Sequence, residues 1–183
     1  IQNVYGGSGA DNLVGDGQDN ILRGNGGDDV IDGGAGDDML DESNATADLS
    51  VNLSLSGWQA SGRGQVRYLN LENVMTGSGN DVLTSGSGNN ILAGGTGNDT
   101  YRFLNGWGMD VVQDAGGSDS LDFGNASLDL QFNLAGGWVV SGANRVESSG
   151  MEIFRGGSGN DSFEIAGAVS GILYGGAGDD RFV

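Results

Sequence analysis

The large apolar residues of this chain recur singly and at a fixed interval rather than in runs. Leu13, Leu22, Ile31, Leu40, Leu83, Leu92, Tyr101, Val112, Leu121, Phe163 and Phe182 each hold the eighth place of a nine-residue unit. The units are GGSGADNLV (6–14), GDGQDNILR (15–23), GNGGDDVID (24–32) and GGAGDDMLD (33–41), then TGSGNDVLT (76–84), SGSGNNILA (85–93) and GGTGNDTYR (94–102). After Phe103 and Leu104 the phase resumes with NGWGMDVVQ (105–113) and DAGGSDSLD (114–122), and GGSGNDSFE (156–164) and GGAGDDRFV (175–183) close the series. Each unit reads as a glycine-rich turn followed by a strand of about three residues that points one side chain inward. One inward residue per unit builds no core alone, whereas stacked coils bury a continuous one. Helix is disfavoured in the repeat blocks, because interior glycine costs about 1 kcal/mol each and no unit is free of it. The chain reads as all-β.

Two segments interrupt the nine-residue phase. In 42–75, Leu49, Val51, Leu53 and Leu55 alternate with polar residues, and in 125–155 Leu128, Leu130, Phe132 and Leu134 do the same, the signature of half-buried strands. The segments match at an offset of 80, pairing Trp58 with Trp138, Ser61-Gly62 with Ser141-Gly142, Glu72 with Glu152 and Asp81 with Asp161. The organisation expected is therefore a repeat block (1–41), an alternating segment (42–75), a second block (76–124), a duplicate segment (125–155) and a third block (156–183). Ile1 without a Met and Val183 at a unit boundary suggest an internal piece of a longer chain, with the third block continuing past its end. Residues Ile165 to Tyr174 have the length of one more unit but no loop carboxylate, and read as a metal-free coil with Ile172 inward.

Charge changes the picture from a scaffold to a cation binder. The 183 residues carry 25 Asp and Glu against 7 basic residues, all Arg, for a net charge of −18, with no Pro, Cys or His and 38 Gly. Such acidity argues against nucleic acid and anionic membranes as partners, and no run of about 18 apolar residues offers a membrane span. Without cysteine, no disulfide staples the fold. The acid also sits at a set place, the sixth of each unit: Asp11, Asp29, Asp38, Asp81, Asp99, Asp110, Asp119, Asp161 and Asp180. Ca²⁺ takes six to eight oxygens, mixing carboxylate with backbone carbonyl, and glycine-rich turns leave carbonyls free to converge. Turn chemistry alone would accept Asn as readily as Asp, yet only Asn20 and Asn90 replace the acid.

The pattern Gly-Gly-x-Gly-x-Asp-x-apolar-x resembles the calcium-binding nonapeptide of the repeats-in-toxin (RTX) family over most of the repeat blocks. The resemblance implies a right-handed parallel β-roll, a β-solenoid in which two units make one coil and several calcium ions sit between loops two units apart. Carried onto this chain, it pairs Asp11 with Asp29, Asp81 with Asp99, Asp161 with Asp180 and Asp99 with Asp119, and sets Asp38 against the second unit. That unit has Gln18 for Gly and Asn20 for Asp, and Asn90 repeats the exchange, so weak or empty sites are expected there. With Kd of about 10⁻⁴–10⁻³ M, millimolar calcium stabilises each site by roughly 0.4–1.4 kcal/mol. Several sites together match the stability of a small domain. The resemblance further implies secretion, by a type I route as an unfolded chain, with folding in extracellular calcium.

Absence of His, Cys and Lys removes most nucleophile and base arrangements. Carboxylate-pair chemistry remains formally open through Glu72 and Glu152, but their equivalent places in LENV (71–74) and MEIF (151–154) point to structure, so no enzyme is expected. The alternative to a folding module is an adhesive or polysaccharide-binding part of a large RTX adhesin, using Trp58, Trp138, Trp107 and Tyr68 on a surface glycan. More remote is the non-catalytic tail of a secreted hydrolase or epimerase. Neighbouring domains of a longer protein are the other partners this reading allows.

Overall fold

The computed structural model describes residues 3–166 and 171–183, and these form strands and turns with no helix. Up to residue 41 the strands are β1 (Asn3–Tyr5), β2 (Asn12–Val14), β3 (Ile21–Arg23), β4 (Asp29–Asp32) and β5 (Met39–Asp41). The first interruption gives β6 (Ser50–Asn52), β7 (Gln59–Ala60) and β8 (Gln65–Leu69), and β9 (Asn73–Met75) leads out of it. Next come β10 (Val82–Thr84), β11 (Ile91–Thr96), β12 (Thr100–Arg102), β13 (Met109–Gly116) and β14 (Ser120–Asp122). The second interruption gives β15 (Gln131–Asn133), β16 (Trp138–Ser141) and β17 (Asn144–Glu147), followed by β18 (Ile153–Arg155), β19 (Ser162–Glu164), β20 (Ile172–Tyr174) and β21 (Arg181–Phe182).

Successive repeat strands go to alternate sheets, so each pairs in parallel with the strand two units away, an arrangement consistent with a β-roll. One sheet runs β1-β3-β5-β9-β11-β13-β17-β16-β15-β19-β21, and two others run β2-β4-β8-β7 and β20-β18-β14-β12-β10-β6. Pairing sets the eighth-position residues in columns. Leu13 faces Ile31, which faces Tyr68. Leu22, Leu40, Val74, Leu92 and Val112 align in the long sheet. Val51, Leu83, Tyr101, Leu121, Phe154 and Leu173 align in the third. All but Leu173, which packs on the core from its edge, are buried and form one continuous cluster. A column places each side chain on the one below, which is how single apolar residues become a core.

Two inward expectations need correction. Ile172 is 53 % exposed and aligns with Ile153, while its neighbour Leu173 joins the column. The segment 165–174 is ten residues long, one more than a unit, so the inward place moves by one. The rest of the coil expected there, residues 167–170, lies outside the described residues. Phe182 is 48 % exposed although it stacks on Phe163 at 4.8 Å, because among the described residues no strand pairs with the outer edge of β21. Leu55, read as part of an alternating strand, is also exposed and follows β6 in a turn.

The two interruptions stay within the layers and reverse direction there. β8 pairs parallel to β4 and antiparallel to β7, and β7 is tied to β6 through Ser50 N–H to Ser61 O at 3.0 Å. β17 pairs parallel to β13, antiparallel to β16, and β16 antiparallel to β15, which is parallel to β19. The second interruption is thus a three-strand meander set between parallel neighbours, and the first follows the same course with β6 and β7 ending two adjoining sheets. They fall on opposite faces because five units lie between them, and an odd number of half-coils changes face.

Aromatic residues fill the second half of the core. Phe103 stacks on Phe123 at 4.9 Å, Trp107 meets Phe123 edge-on at 5.1 Å, and Phe132 stacks on Phe163 at 4.2 Å. Phe103, the first of the two residues that break the phase after Arg102, is therefore core material.

Candidate metal centre

The glycine-rich turns stack along the edges of the sheets, and their close approach explains the unit pattern. Gly95 and Gly97 hold φ of +90° and +128°, and a Cβ on either would run into the carbonyl oxygen of Gly77 or Gly79 in the turn before. At the first position the obstacle is the acid itself. A Cβ on Gly6, Gly24, Gly33, Gly94, Gly156 or Gly175 would meet Oδ2 of that unit's own sixth-position aspartate. Glycine there makes room for the carboxylate to fold back over its turn.

Those aspartates form ladders from coil to coil. The amide N–H of Asp11 donates to Asp29 Oδ1 at 2.9 Å, Asn20 to Asp38 at 2.7 Å, and Asp81 to Asp99 at 2.7 Å. Asn90 donates to Asp110 at 2.9 Å, Asp99 to Asp119 at 2.8 Å, and Asp161 to Asp180 at 2.9 Å. Every residue pair that the family resemblance implies is thereby brought into hydrogen-bond contact. The meanders join the ladders as well, Leu49 donating to Asp81 at 2.7 Å and Leu130 to Asp161 at 2.9 Å.

Glu72 and Glu152 take the rung where a coil lacks an aspartate. Asp38 N–H donates to Glu72 Oε2 at 2.9 Å, and Asp119 N–H to Glu152 Oε2 at 2.8 Å. Their duplicated position is thus a duplicated rung. A second ladder, unread in the sequence, runs the other way through exposed fifth positions. Asp37 N–H donates to Asp19 Oδ1, Asn98 to Asn80 and Ser118 to Asn98, at 2.8–3.0 Å. Its signal was the frequent Asp or Asn at that place; both offer the acceptor, and no charge is required.

Among the described residues, most of the buried carboxylates are those at the sixth position. Asp29, Asp38, Asp81, Asp99, Asp110, Asp119 and Asp161 are at most 1 % exposed. Asp11 and Asp180, in the outermost units described, are half-buried. In Asp38, Asp81, Asp99, Asp110 and Asp119 the second oxygen, Oδ2, is buried without a hydrogen-bond partner. Among the described residues, the ion pairs Arg23–Asp41, Arg63–Glu42, Arg102–Asp122 and Arg145–Glu147 include none of them. Buried orphaned carboxylate oxygens are costly unless something cationic reaches them. The donor set, hard oxygens beside glycine carbonyls, fits Ca²⁺.

Sites with asparagine are built differently. Asn90 Oδ1 accepts Gly86 N–H at 2.9 Å, and its Nδ2 donates to Glu72 O at 2.7 Å, so the amide satisfies itself and occupies a carbonyl. Asn20 likewise accepts Asp16 N–H at 2.7 Å. Asp161 shares some of this character, its Oδ2 accepting Gly157 N–H at 2.9 Å.

Burial raises these carboxyls above the usual carboxylate range. Asp99 is pushed up to about 6 and Asp110 to about 7, in both cases first by desolvation. Asp29, Asp38, Asp81, Asp119 and Asp161 move in the same direction for the same leading reason. A raised acid binds its proton more tightly folded than unfolded, so without metal the fold gains stability as pH falls through 7 and 6 towards the unfolded value near 4. Protons and calcium compete for the same oxygens. At pH 5.5 the calcium midpoint of folding is therefore expected to lie above that at pH 8, while residual order without calcium increases. Circular dichroism titrations at both values check this, and a pH-independent midpoint would contradict it.

The residues that the adhesive alternative would use fare unevenly. Trp107 and Tyr68 are 1 % and 4 % exposed and belong to the core, which removes them from any recognition surface. Their rings are flat apolar bodies sized for packing, and sequence alone does not distinguish that use from stacking on a sugar. Trp58 is 55 % exposed, whereas Trp138 is half-buried with the Arg145 guanidinium 5.2 Å from its ring centre. The two sit on opposite-facing meanders.

The RTX calcium-binding nonapeptide repeat matches the chain four times, over 5–40, 72–101, 148–164 and 172–183, together more than half of it. No curated protein matches the chain at a significant level.

Proposed function

Because the chain belongs to the RTX calcium-binding nonapeptide repeat family, we propose that it is a structural module of a secreted or surface protein of bacterial type, folded by extracellular calcium into a right-handed parallel β-roll. Right-handedness follows the strong preference of parallel crossover connections. The observation that carries the reading is the row of buried, unpartnered Oδ2 atoms of Asp38, Asp81, Asp99, Asp110 and Asp119. Together with Asp11, Asp29, Asp161 and Asp180, these residues hold the ions. Asn20 and Asn90 leave their turns weak or empty.

The same chemistry supports a switch. Cytosolic calcium is far below Kd values of about 10⁻⁴–10⁻³ M and adds almost nothing to stability, whereas millimolar calcium fills the sites. A chain of net charge −18 with stacked carboxylates then stays extended inside the cell and folds outside. This suits export as an unfolded chain by a type I route. The acidic ladders serve structure, and the module performs no catalysis. In a larger surface protein or adhesin it would act as a stiff spacer, with Trp58 among the exposed aromatics available to meet a glycan.

Equilibrium dialysis against calcium tests the reading. Several ions per chain are expected, with magnesium failing to displace them, since its demand for near-ideal octahedral geometry suits these turns poorly. One ion or none, or displacement by equimolar magnesium, would contradict it.

A further inference from the structure

The ladders contain one turn built unlike the others, between the units at 94–102 and 114–122. The second of these starts with Asp114 where the pattern has glycine. Oxygens of Asp99, Asp114 and Asp119 lie within 4.8 Å of one another, and no other such trio occurs among the described residues. Asp99 and Asp119 are 1 % and 0 % exposed, and the Oδ2 atom of each lacks a hydrogen-bond partner.

Asp114 is held in place by its own apparatus. Its Oδ1 accepts the Gly116 N–H at 2.7 Å, and its Oδ2 accepts the Tyr101 hydroxyl at 2.6 Å. Tyr101 occupies an inward eighth position, where a Leu, Ile or Val would end short of the turn. Its hydroxyl also accepts the Gly94 N–H at 3.0 Å. Gly94 is an extra residue in β11: Ala93 pairs with Gln113 and Gly95 with Asp114, which leaves Gly94 without a strand partner. The bulge, the phenol and the first-position acid thus form one device that presents a third carboxylate to a pair of buried ones.

We propose that Asp99, Asp114 and Asp119 form a three-carboxylate calcium site that binds more tightly than the two-carboxylate turns, with Tyr101 as the positioning residue for Asp114. The inference rests on the calcium-module reading and adds to it an order of filling. Calcium affinity rises with the number of charged ligands and the rigidity of their support, and this turn exceeds its neighbours in both. The site fills first as calcium rises and empties last, and so seeds the stacking of the second block.

Calcium release from the fully loaded chain into a chromophoric chelator, followed by stopped flow, tests this. Wild type is expected to lose most ions in fast phases and one in a phase about tenfold slower. Asp114→Asn removes the slow phase, Tyr101→Phe speeds it several-fold, and Asp38→Asn leaves it in place while altering the fast ones. A single common rate in wild type, or an unchanged slow phase in Asp114→Asn, overturns the proposal while the general calcium reading stands. No calcium release from wild type would instead sink that wider reading. Should Asp114→Asn fail to fold at saturating calcium, Tyr101→Phe decides alone, and a slow phase unchanged in that variant overturns the proposal.

Discussion

Asp99→Ala is expected to raise the calcium concentration at half-folding about threefold. Asp99 sits in the middle of a ladder, accepting the Asp81 N–H at Oδ1 and receiving none of its charge balance from an arginine among the ion pairs described. Alanine removes a ligand from the ions on both sides and leaves a buried N–H unpaired, a loss of about 3 kcal/mol. Spread over roughly five cooperatively bound ions, that energy is about a threefold shift in midpoint. Asp99→Asn keeps an acceptor for the Asp81 amide and loses only charge, so its shift is smaller. Glu147→Gln removes a negative charge from an exposed strand residue paired to Arg145 and should leave the midpoint where it is. Equal shifts in Asp99→Ala and Glu147→Gln would reduce the aspartate's role to bulk charge.

Phe123→Ala is expected to cost about 3–5 kcal/mol at saturating calcium, the usual range for emptying a buried aromatic site. Phe123 is fully buried, stacked on Phe103 and in edge contact with Trp107 and Phe132 at 5.6 Å. It joins the second repeat block to the second meander, so the cavity would open where two kinds of coil meet. Urea unfolding in excess calcium measures it. A cost below about 1 kcal/mol would mean that the ions alone hold this region together. The two variants separate the contributions: the first moves calcium dependence, the second moves stability when calcium is no longer limiting.

Much of this architecture could be read from residue spacing. A nine-residue period with one apolar residue and one acid per unit leaves few alternatives to stacked coils, while two units to a coil, and with them the carboxylate pairs, are what the family resemblance implies. The meanders were harder. Alternation at Leu49–Val51 and Leu130–Phe132 marks a strand, but neither its direction nor its partner is encoded in period-two patterning. Ile172 went wrong because register depends on a single inserted residue, and a one-residue slip moves every side chain to the opposite face. Asp114 reads in sequence as a faulty glycine. Its partnership with Asp99 and Asp119 comes from the bulge at Gly94 and the reach of the Tyr101 hydroxyl, neither of which spacing reports. Trp107 and Tyr68 are open to the adhesive alternative in sequence because large aromatics serve cores and binding faces alike, and their burial closes it.

Far-UV circular dichroism of the chain in excess chelator, and again after adding millimolar calcium, bears most directly on the whole account. Five coil-to-coil carboxylates with orphaned oxygens predict a largely disordered spectrum in chelator at neutral pH and a cooperative gain of β-structure with calcium. Full β-structure in chelator, unchanged on adding calcium, would contradict it and leave the aspartates as hydrogen-bonding turn residues alone.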